Sequence, residues 1–326
     1  MCYSAMVEQH AKKIGVTFKV RVQVDLYDDL FSRRAQGERL LINKAMEHPF
    51  LNDPQSAMEE SIAKNIRLWR ENQTRAYEEE LFRQKTRLNE ALKKLETKPT
   101  KAAEESKRIA TNKIEAAQRK IKAINSPELS ESDSRIFPFH YVSMIHLDER
   151  GASVVSPARY HMRPHNEEEG FDKERDGCYN ARLDNLKRLP FWKDSLEKRR
   201  GLILVKKFYE NVSVEKYLKN NQLSEAQLGQ QNIVLCFDPG MPDDMILPTL
   251  WDYWPAHGKP SLLSAALITD DPHPEVAAAG HDRTPIPLKR SAAEAWLHAK
   301  SVDEAVAILK QERERPYFSH RVLGAA

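Results

Sequence analysis

Between residues 16 and 25 apolar and polar positions alternate (VTFKVRVQVD), the period of a half-buried strand. Residues 26–37 (LYDDLFSRRAQG) then predict a short amphipathic helix closed by Gly37. From Ser56 to Ile124 the rhythm changes. Glycine is absent and Pro99 is the only proline. Leu81, Leu88 and Leu95 fall seven residues apart, with Ile62, Ile66, Trp69, Tyr77 and Leu92 near the same seam. Beyond Pro99 the seam continues through Ala110, Ile114, Ala117, Ile121 and Ile124. This spacing predicts two long helices interrupted by a proline, most simply an antiparallel coiled-coil hairpin over 56–124. At ~1.5 Å per residue its first arm is on the order of 60 Å long.

Residues 125–135 are polar and form a linker. After them come short apolar runs divided by proline- and glycine-rich turns: 138–147, 201–205, 232–237 and 262–269, then one amphipathic helix over 291–311. Strands this short and this frequent predict an α+β fold. Its curled, barrel-like mixed sheet carries peripheral helices, and the helical hairpin is inserted into it. The core is then split in sequence, 1–55 and 136–326, around the insertion.

Charged residues make up 30% of the 326-residue chain and the formal net charge is +3. A nucleic-acid partner is compatible with that value but not required by it. The second arm of the hairpin is distinctly basic, as expected of a solvated face, a grip on DNA or a partner, or a self-association surface. Three cysteines, Cys2, Cys178 and Cys236, are too few and too scattered for a disulfide framework or a zinc site. No signal peptide or membrane-length apolar run is present, so a soluble cytoplasmic protein is expected. The phosphate-loop glycines, the hydrolase serine elbow and the metalloprotease helix are all missing, and no cofactor is implied.

The chemistry starts at the second residue. Once Met1 is removed, Cys2 presents an amine with a pKa near ~7.7–8.0 and a thiol near ~8.5 on adjacent carbons. Such an aminothiol condenses with an aldehyde to an imine and closes to a thiazolidine. In the second half, four polar places are not explained by packing alone: Tyr179-Asn180-Ala181-Arg182, Phe208-Tyr209-Glu210-Asn211, His281-Asp282-Arg283, and Arg159-Tyr160 with Arg163 shortly after. A carboxylate beside two aromatics at a strand end, such as Glu210, is where a raised pKa is expected.

In order, Met1-Cys2, NARLDN at 180–185, FWKDSLEKRRGLILVKKFYEN at 191–211, LWDYW at 250–254 and HDRTPIPL at 281–288 resemble the SOS-response-associated peptidase (SRAP) family of abasic-site processing proteins. The likeness covers the first residues and roughly 136–326; the hairpin has no counterpart in it. The resemblance implies covalent capture of the ring-opened aldehyde of an abasic site in single-stranded DNA, and a nucleoid location when DNA-bound. It casts Cys2 as nucleophile, Asn180 as the holder of the new N-terminus, Glu210 as proton shuttle and aid to Met1 release, and His281 as the acid that opens the sugar. Arg182, Arg159, Tyr160 and Arg163 are its expected DNA contacts.

The chain also departs from the family pattern. Tyr3-Ser4 stands where Gly-Arg is usual, so a phosphate contact is lost and a ring able to crowd or stack on a base is gained. Gly201 replaces a cysteine and Asn211 a tryptophan. The family's Trp-Gly-Leu-Ile-Pro stretch becomes Tyr160-His161-Met162-Arg163-Pro164. Two other readings fit the same residues. One is a thiol hydrolase pairing Cys2 with His281, acting on its own N-terminus or on peptides. The other is a coiled-coil adaptor carrying a non-catalytic SRAP-like module.

Overall fold

A computed structural model describes residues 3–175, 177–255 and 261–325. Its contacts divide the chain into two units. Met1–Tyr27, Arg39–Asn52 and Ser130–Ala326 form the first; Asp28–Glu38 with Asp53–Leu129 form the second.

The first unit is built on a mixed sheet of twelve strands among the described residues. They are β1 (Ser4–Val7), β2 (Arg21–Val22), β3 (Arg135–Ile136), β4 (Tyr141–Leu147), β5 (Ser153–Tyr160), β6 (Asn180–Arg182), β7 (Arg200–Ser213), β8 (Asn232–Asp238), β9 (Met245–Trp254), β10 (Leu262–Asp270), β11 (Thr284–Pro285) and β12 (Ser319–Ala325). The sheet is partly curled. Strands β10, β5, β4, β7 and β9 pair in a closed circuit, a ring of five short of a full barrel. β5 and β6 lie parallel to β10; β4, β7 and β9 pair antiparallel. Inside sit Val142, Met144, Ala158, Tyr160, Ile203, Val205, Leu247, Ala265 and Leu267, all buried. The sequence-read runs at 138–147, 201–205, 232–237 and 262–269 fall on β4, β7, β8 and β10.

β7 is fourteen residues long and changes partners along its length. Arg200–Val205 pair with β9, and Phe208–Ser213 pair with β8. On its other edge Val205–Tyr209 pair with β1, past a bulge at Met6/Val7. Its first residue ties helices to the sheet. The buried Arg200 guanidinium donates to the carbonyls of Leu196 (2.7 Å) and Glu197 (2.7 Å), and to that of Trp296 (2.9 Å). These carbonyls belong to the last turns of helices Pro190–Lys198 and Ala293–His298, where no intrahelical donor reaches them. In return the indoles of Trp251 and Trp296 donate to the carbonyls of Arg200 and Gly201.

Two sequence expectations are corrected. Residues 16–25 are not one strand: helix α1 (Ala11–Phe18) is followed by the two-residue β2 and then by α2 (Val24–Ala35), with α3 (Lys44–Asn52) after it. Ala11, Ile14 and Gly15 supply a helical buried stripe, His10 caps the start, and Lys19 ends the helix in the left-handed region at φ 56°. Val16, an apparent strand position, is 81% exposed. The helix read over 291–311 is two, Ala293–His298 and Val302–Gln311. Ser301 restarts it as an extended N-cap that accepts from the Glu304 amide.

In the second unit α4 (Ala57–Thr97) and α5 (Lys101–Asn125) form the expected hairpin. Glu80 lies 3.6 Å from Lys113, and Arg87 donates to Ser106 at 2.9 Å, which fixes the antiparallel register. The seam on α5 is alanine at heptad spacing, with Ala103, Ala110 and Ala117 all buried. Leu92, assigned to the α4 seam, is instead 37% exposed, and Gln84 and Ala91 take the buried positions. Within the same unit the Arg34 guanidinium packs 4.0 Å over the Trp69 ring. No described helix is long and apolar enough to cross a membrane.

Gly201 has no room for a side chain. An added Cβ would lie 2.7 Å from Thr249 Oγ1, 2.9 Å from Met144 Sδ and 3.0 Å from the Ile145 carbonyl oxygen. Glycine therefore stands where the family pattern has cysteine because three elements of the ring close on that point. Gly201→Ala is expected to cost roughly 1–3 kcal/mol, the range for overpacking a filled core, and Gly201→Cys more. Denaturant titration that finds Gly201→Ala as stable as the parent would contradict this packing.

Candidate active site

The site is assembled where β7 leaves the ring and enters the β1–β7–β8 layer. Register places Ser4 opposite Tyr209 and Tyr209 opposite Cys236, so Glu210 follows directly on the side where β1 begins. Glu210 is 2% exposed. His281 reaches it from the turn after helix Pro274–Ala278, its Nε2 3.1 Å from Glu210 Oε2. Gly280 makes this turn with φ +88°. A Cβ there would press at 3.0 Å on both Lys216 and Val212, so glycine is needed for the strain and for the space.

Burial pushes the Glu210 carboxyl above its ordinary pKa, and the hydrogen bond from His281 only partly offsets this. His281 Nδ1 lies 3.1 Å from the Arg283 carbonyl oxygen, which can accept its proton. With Nδ1 protonated, Nε2 can donate to an ionised Glu210 or accept from a protonated one. The two side chains thus form a unit able to hold one shared proton and pass it on.

A cleft of about 470 Å³ opens onto the pair. Tyr3, Tyr179, Asn211, Lys216, Asp282 and Arg283 line it with them. Tyr3 is 41% exposed and held edge-on between Phe137 (5.8 Å) and Tyr179 (6.3 Å). Arg135 anchors this end of β1. It donates to Ser4 Oγ at 2.8 and 3.0 Å and covers the Tyr209 ring at 3.8 Å. Nothing in the sequence patterning pointed to Arg135 or Lys216, since each acts through a strand or helix distant in the chain.

Asn180 opens β6 directly after the cleft residue Tyr179. It is buried, and its Oδ1 accepts from the Tyr160 hydroxyl at 3.3 Å. The structure therefore joins Glu210 to His281 in direct contact and sets Asn180 beside the cleft wall. Cys2, the expected nucleophile, lies outside the described residues. The other two cysteines are buried, and burial raises the Cys236 thiol pKa against the pull of Arg321 and Lys207.

The four expected DNA contacts separate into two kinds. Arg182 pairs at 3.0 Å with Asp184 and with Asp271, both largely exposed, and such surface pairs exchange readily. Arg159 and Arg163 converge on Asp172. Burial of Asp172 works against its ionisation, but these two guanidiniums outweigh it and hold its pKa below the usual carboxylate value. Tyr160 is wholly buried, so neither face of its ring is open to a base.

A search among curated proteins finds no match. Among solved structures, a Bacteroides thetaiotaomicron protein is similar at 15% identity and TM-score 0.46, over 58% of this chain and 77% of that one. A Bordetella bronchiseptica protein aligns at 16% identity and TM-score 0.46, over 61% and 89%. A phage-related protein from the same organism aligns at 17% identity and TM-score 0.43, over 61% and 85%. The family description "SOS response associated peptidase (SRAP)" matches residues 85–323, well over half of the chain. The chain belongs to the SOS response associated peptidase (SRAP) family, peptidase-like DNA-processing proteins associated with the DNA-damage response.

Proposed function

We propose that this protein captures abasic sites in single-stranded DNA as a thiazolidine adduct on Cys2, with Glu210 and His281 moving the protons. The observation that carries this reading is the buried 3.1 Å carboxylate–imidazole contact. It opens onto a cleft lined by Tyr3, the residue bonded to Cys2. The burial of Cys178 and Cys236 supports Cys2 as the reactive thiol.

His281 gives its proton to the sugar O4′ as the C1′–O4′ bond opens, while the C1′ hydroxyl loses its own proton to solvent, and the aldehyde is exposed. The Cys2 amine adds to C1′. Glu210 takes a proton from that nitrogen and delivers one to the hydroxyl, which leaves as water, and an imine remains. Cys2 Sγ then adds to C1′ and its proton passes to nitrogen, closing the ring with no change of oxidation state. Asn180, beside Tyr179 at the cleft wall, orients the amine. Positioned acid–base help of this kind is typically worth about 10²–10⁴ in rate. Arg182, with Arg283 and Lys216 at the cleft, contacts phosphates, while Arg159, Arg163 and Tyr160 brace the wall through Asp172 and Asn180. Tyr3 offers its exposed ring to a neighbouring base.

Incubation with an abasic oligonucleotide should give a heat-stable adduct on a denaturing gel. Cys2→Ala should give none, and His281→Ala should form it roughly 10²–10⁴-fold more slowly. No adduct from the parent protein, or one from Cys2→Ala, sinks the reading. An intact Met1 by mass spectrometry removes both this chemistry and thiol hydrolysis, whereas multiple turnover on a peptide favours hydrolysis.

Glu210→Gln should slow the reaction yet stabilise the fold at neutral pH. A carboxyl whose folded pKa is raised binds more protons folded than unfolded. Its stabilisation is complete below the unfolded value of about 4.3 and is lost as pH rises through the folded value. The amide carries no such loss, so its Tm advantage at pH 7 should shrink toward pH 4; a variant less stable at pH 7 than at pH 4, relative to the parent, reverses the sign. Tyr3→Ala should weaken binding of an undamaged single-stranded oligonucleotide by roughly 1–3 kcal/mol while Tyr3→Phe retains it. Equal affinities for all three proteins exclude stacking by Tyr3.

A further inference from the structure

Within the hairpin, positive charge is concentrated at the tip. Residues 83–108, the end of α4, the turn and the start of α5, hold nine lysines and arginines against four glutamates, a net of +5. The basal half of the same hairpin, 57–82 with 109–125, holds eight against seven, a net of +1. The whole chain is only +3, so everything outside the hairpin is net acidic at −3.

Three glutamates of the hairpin make ion pairs with its own basic residues. Glu80 takes both Arg83 and Lys113, Glu105 takes Arg108, and Glu115 takes Arg119. At the tip Lys85, Lys93, Lys94, Lys98, Lys101 and Lys107 are exposed, and none makes an ion pair among the described residues. Repulsion among like charges on one element lowers the stability of a fold unless a counter-charge meets them. The α4 stretch 83–97 is about 22 Å long at ~1.5 Å per residue, enough to run beside several consecutive phosphates.

We propose that the hairpin tip is a nucleic-acid backbone clamp, binding phosphates of a strand without reading its bases. Helices present the lysines on flexible stems, which suits point-charge contact with phosphates and gives no geometry for base edges. The clamp adds electrostatic affinity to the phosphate contacts proposed at the cleft, and it operates on undamaged DNA as on damaged. It is independent of the chemistry at Cys2.

The test is equilibrium binding of the full chain to an undamaged single-stranded oligonucleotide at several salt concentrations. The variant Lys93→Gln/Lys94→Gln/Lys98→Gln/Lys101→Gln keeps good helix formers on exposed positions, and circular dichroism reports whether the hairpin persists. The parent should show a steep decline of log K with log salt. The variant should lose about 0.7 of slope for each phosphate released, up to roughly 2.8 in all, and at least tenfold in affinity at low salt. A control variant at the base, Lys64→Gln/Arg67→Gln, should stay within twofold of the parent. Affinity and slope unchanged in the tip variant overturn the clamp, as does a base variant equally impaired. Poly-glutamate bound as tightly as the oligonucleotide would reassign the tip to acidic polypeptides. Adduct formation on an abasic oligonucleotide, run in parallel, separates this outcome from that at the cleft: loss of adduct with binding intact indicts the chemistry, and the reverse indicts the clamp.

Discussion

The structure depends on β7. One fourteen-residue strand closes the five-strand ring with its first half and carries the site with its second. Its partners change from β9 to β8 midway, and β1 attaches where they change. A slip of one residue along this strand would turn every side chain to the opposite face, taking Glu210 out of the interior. Three features prevent the slip. Arg200 is bound to helix-terminal carbonyls, Gly201 is pressed against Thr249 and Ile145, and two indoles donate to the backbone of these same residues. The register that fills the ring is therefore the register that aims the carboxyl.

Placing that carboxyl inside has a cost the rest of the fold offsets. A buried acid is disfavoured in its charged form, and the His281 contact and the Tyr3 backbone hydrogen bond do not fully compensate it. The same burial makes it hold a proton more tightly than an ordinary exposed carboxylate. Asp172 illustrates the opposite solution. Two guanidiniums hold it ionised, and the result is a structural anchor, not a proton donor. Two half-buried or buried carboxyls in one unit thus shift in opposite directions, set by what faces them.

The two units differ in what holds them. The ring is held by branched and aromatic side chains buried on both faces of its central strands. The hairpin is narrow. Its α5 seam is alanine, so the helices approach closely with little apolar area to bury, and ion pairs and exposed charge cover its outside. Such an element suits presentation of charge more than enclosure of a reactant.

Much of this was legible in the chain alone. The heptad spacing around Pro99 determines two antiparallel helices, because few other arrangements bury such a stripe. The short apolar runs at 138–147 and 232–237 read as strands, and the ordered motifs at 180–185, 191–211, 250–254 and 281–288 carried the resemblance to the family and its polar residues. Other features were not legible. The alternation at 16–25 resembled a strand because local period alone cannot say which positions are covered; burial of Ala11, Ile14 and Gly15 carries a helix to Phe18 and leaves only Arg21–Val22 as strand. The closed circuit of strands, the Glu210–His281 contact across seventy residues of sequence and the withdrawal of Tyr160 into the interior arise from pairings between distant segments. Sequence determines which groups can do the chemistry, because reactivity belongs to residue type. Only the tertiary structure decides which of them meet and at what proton affinity, because distance and burial belong to the fold.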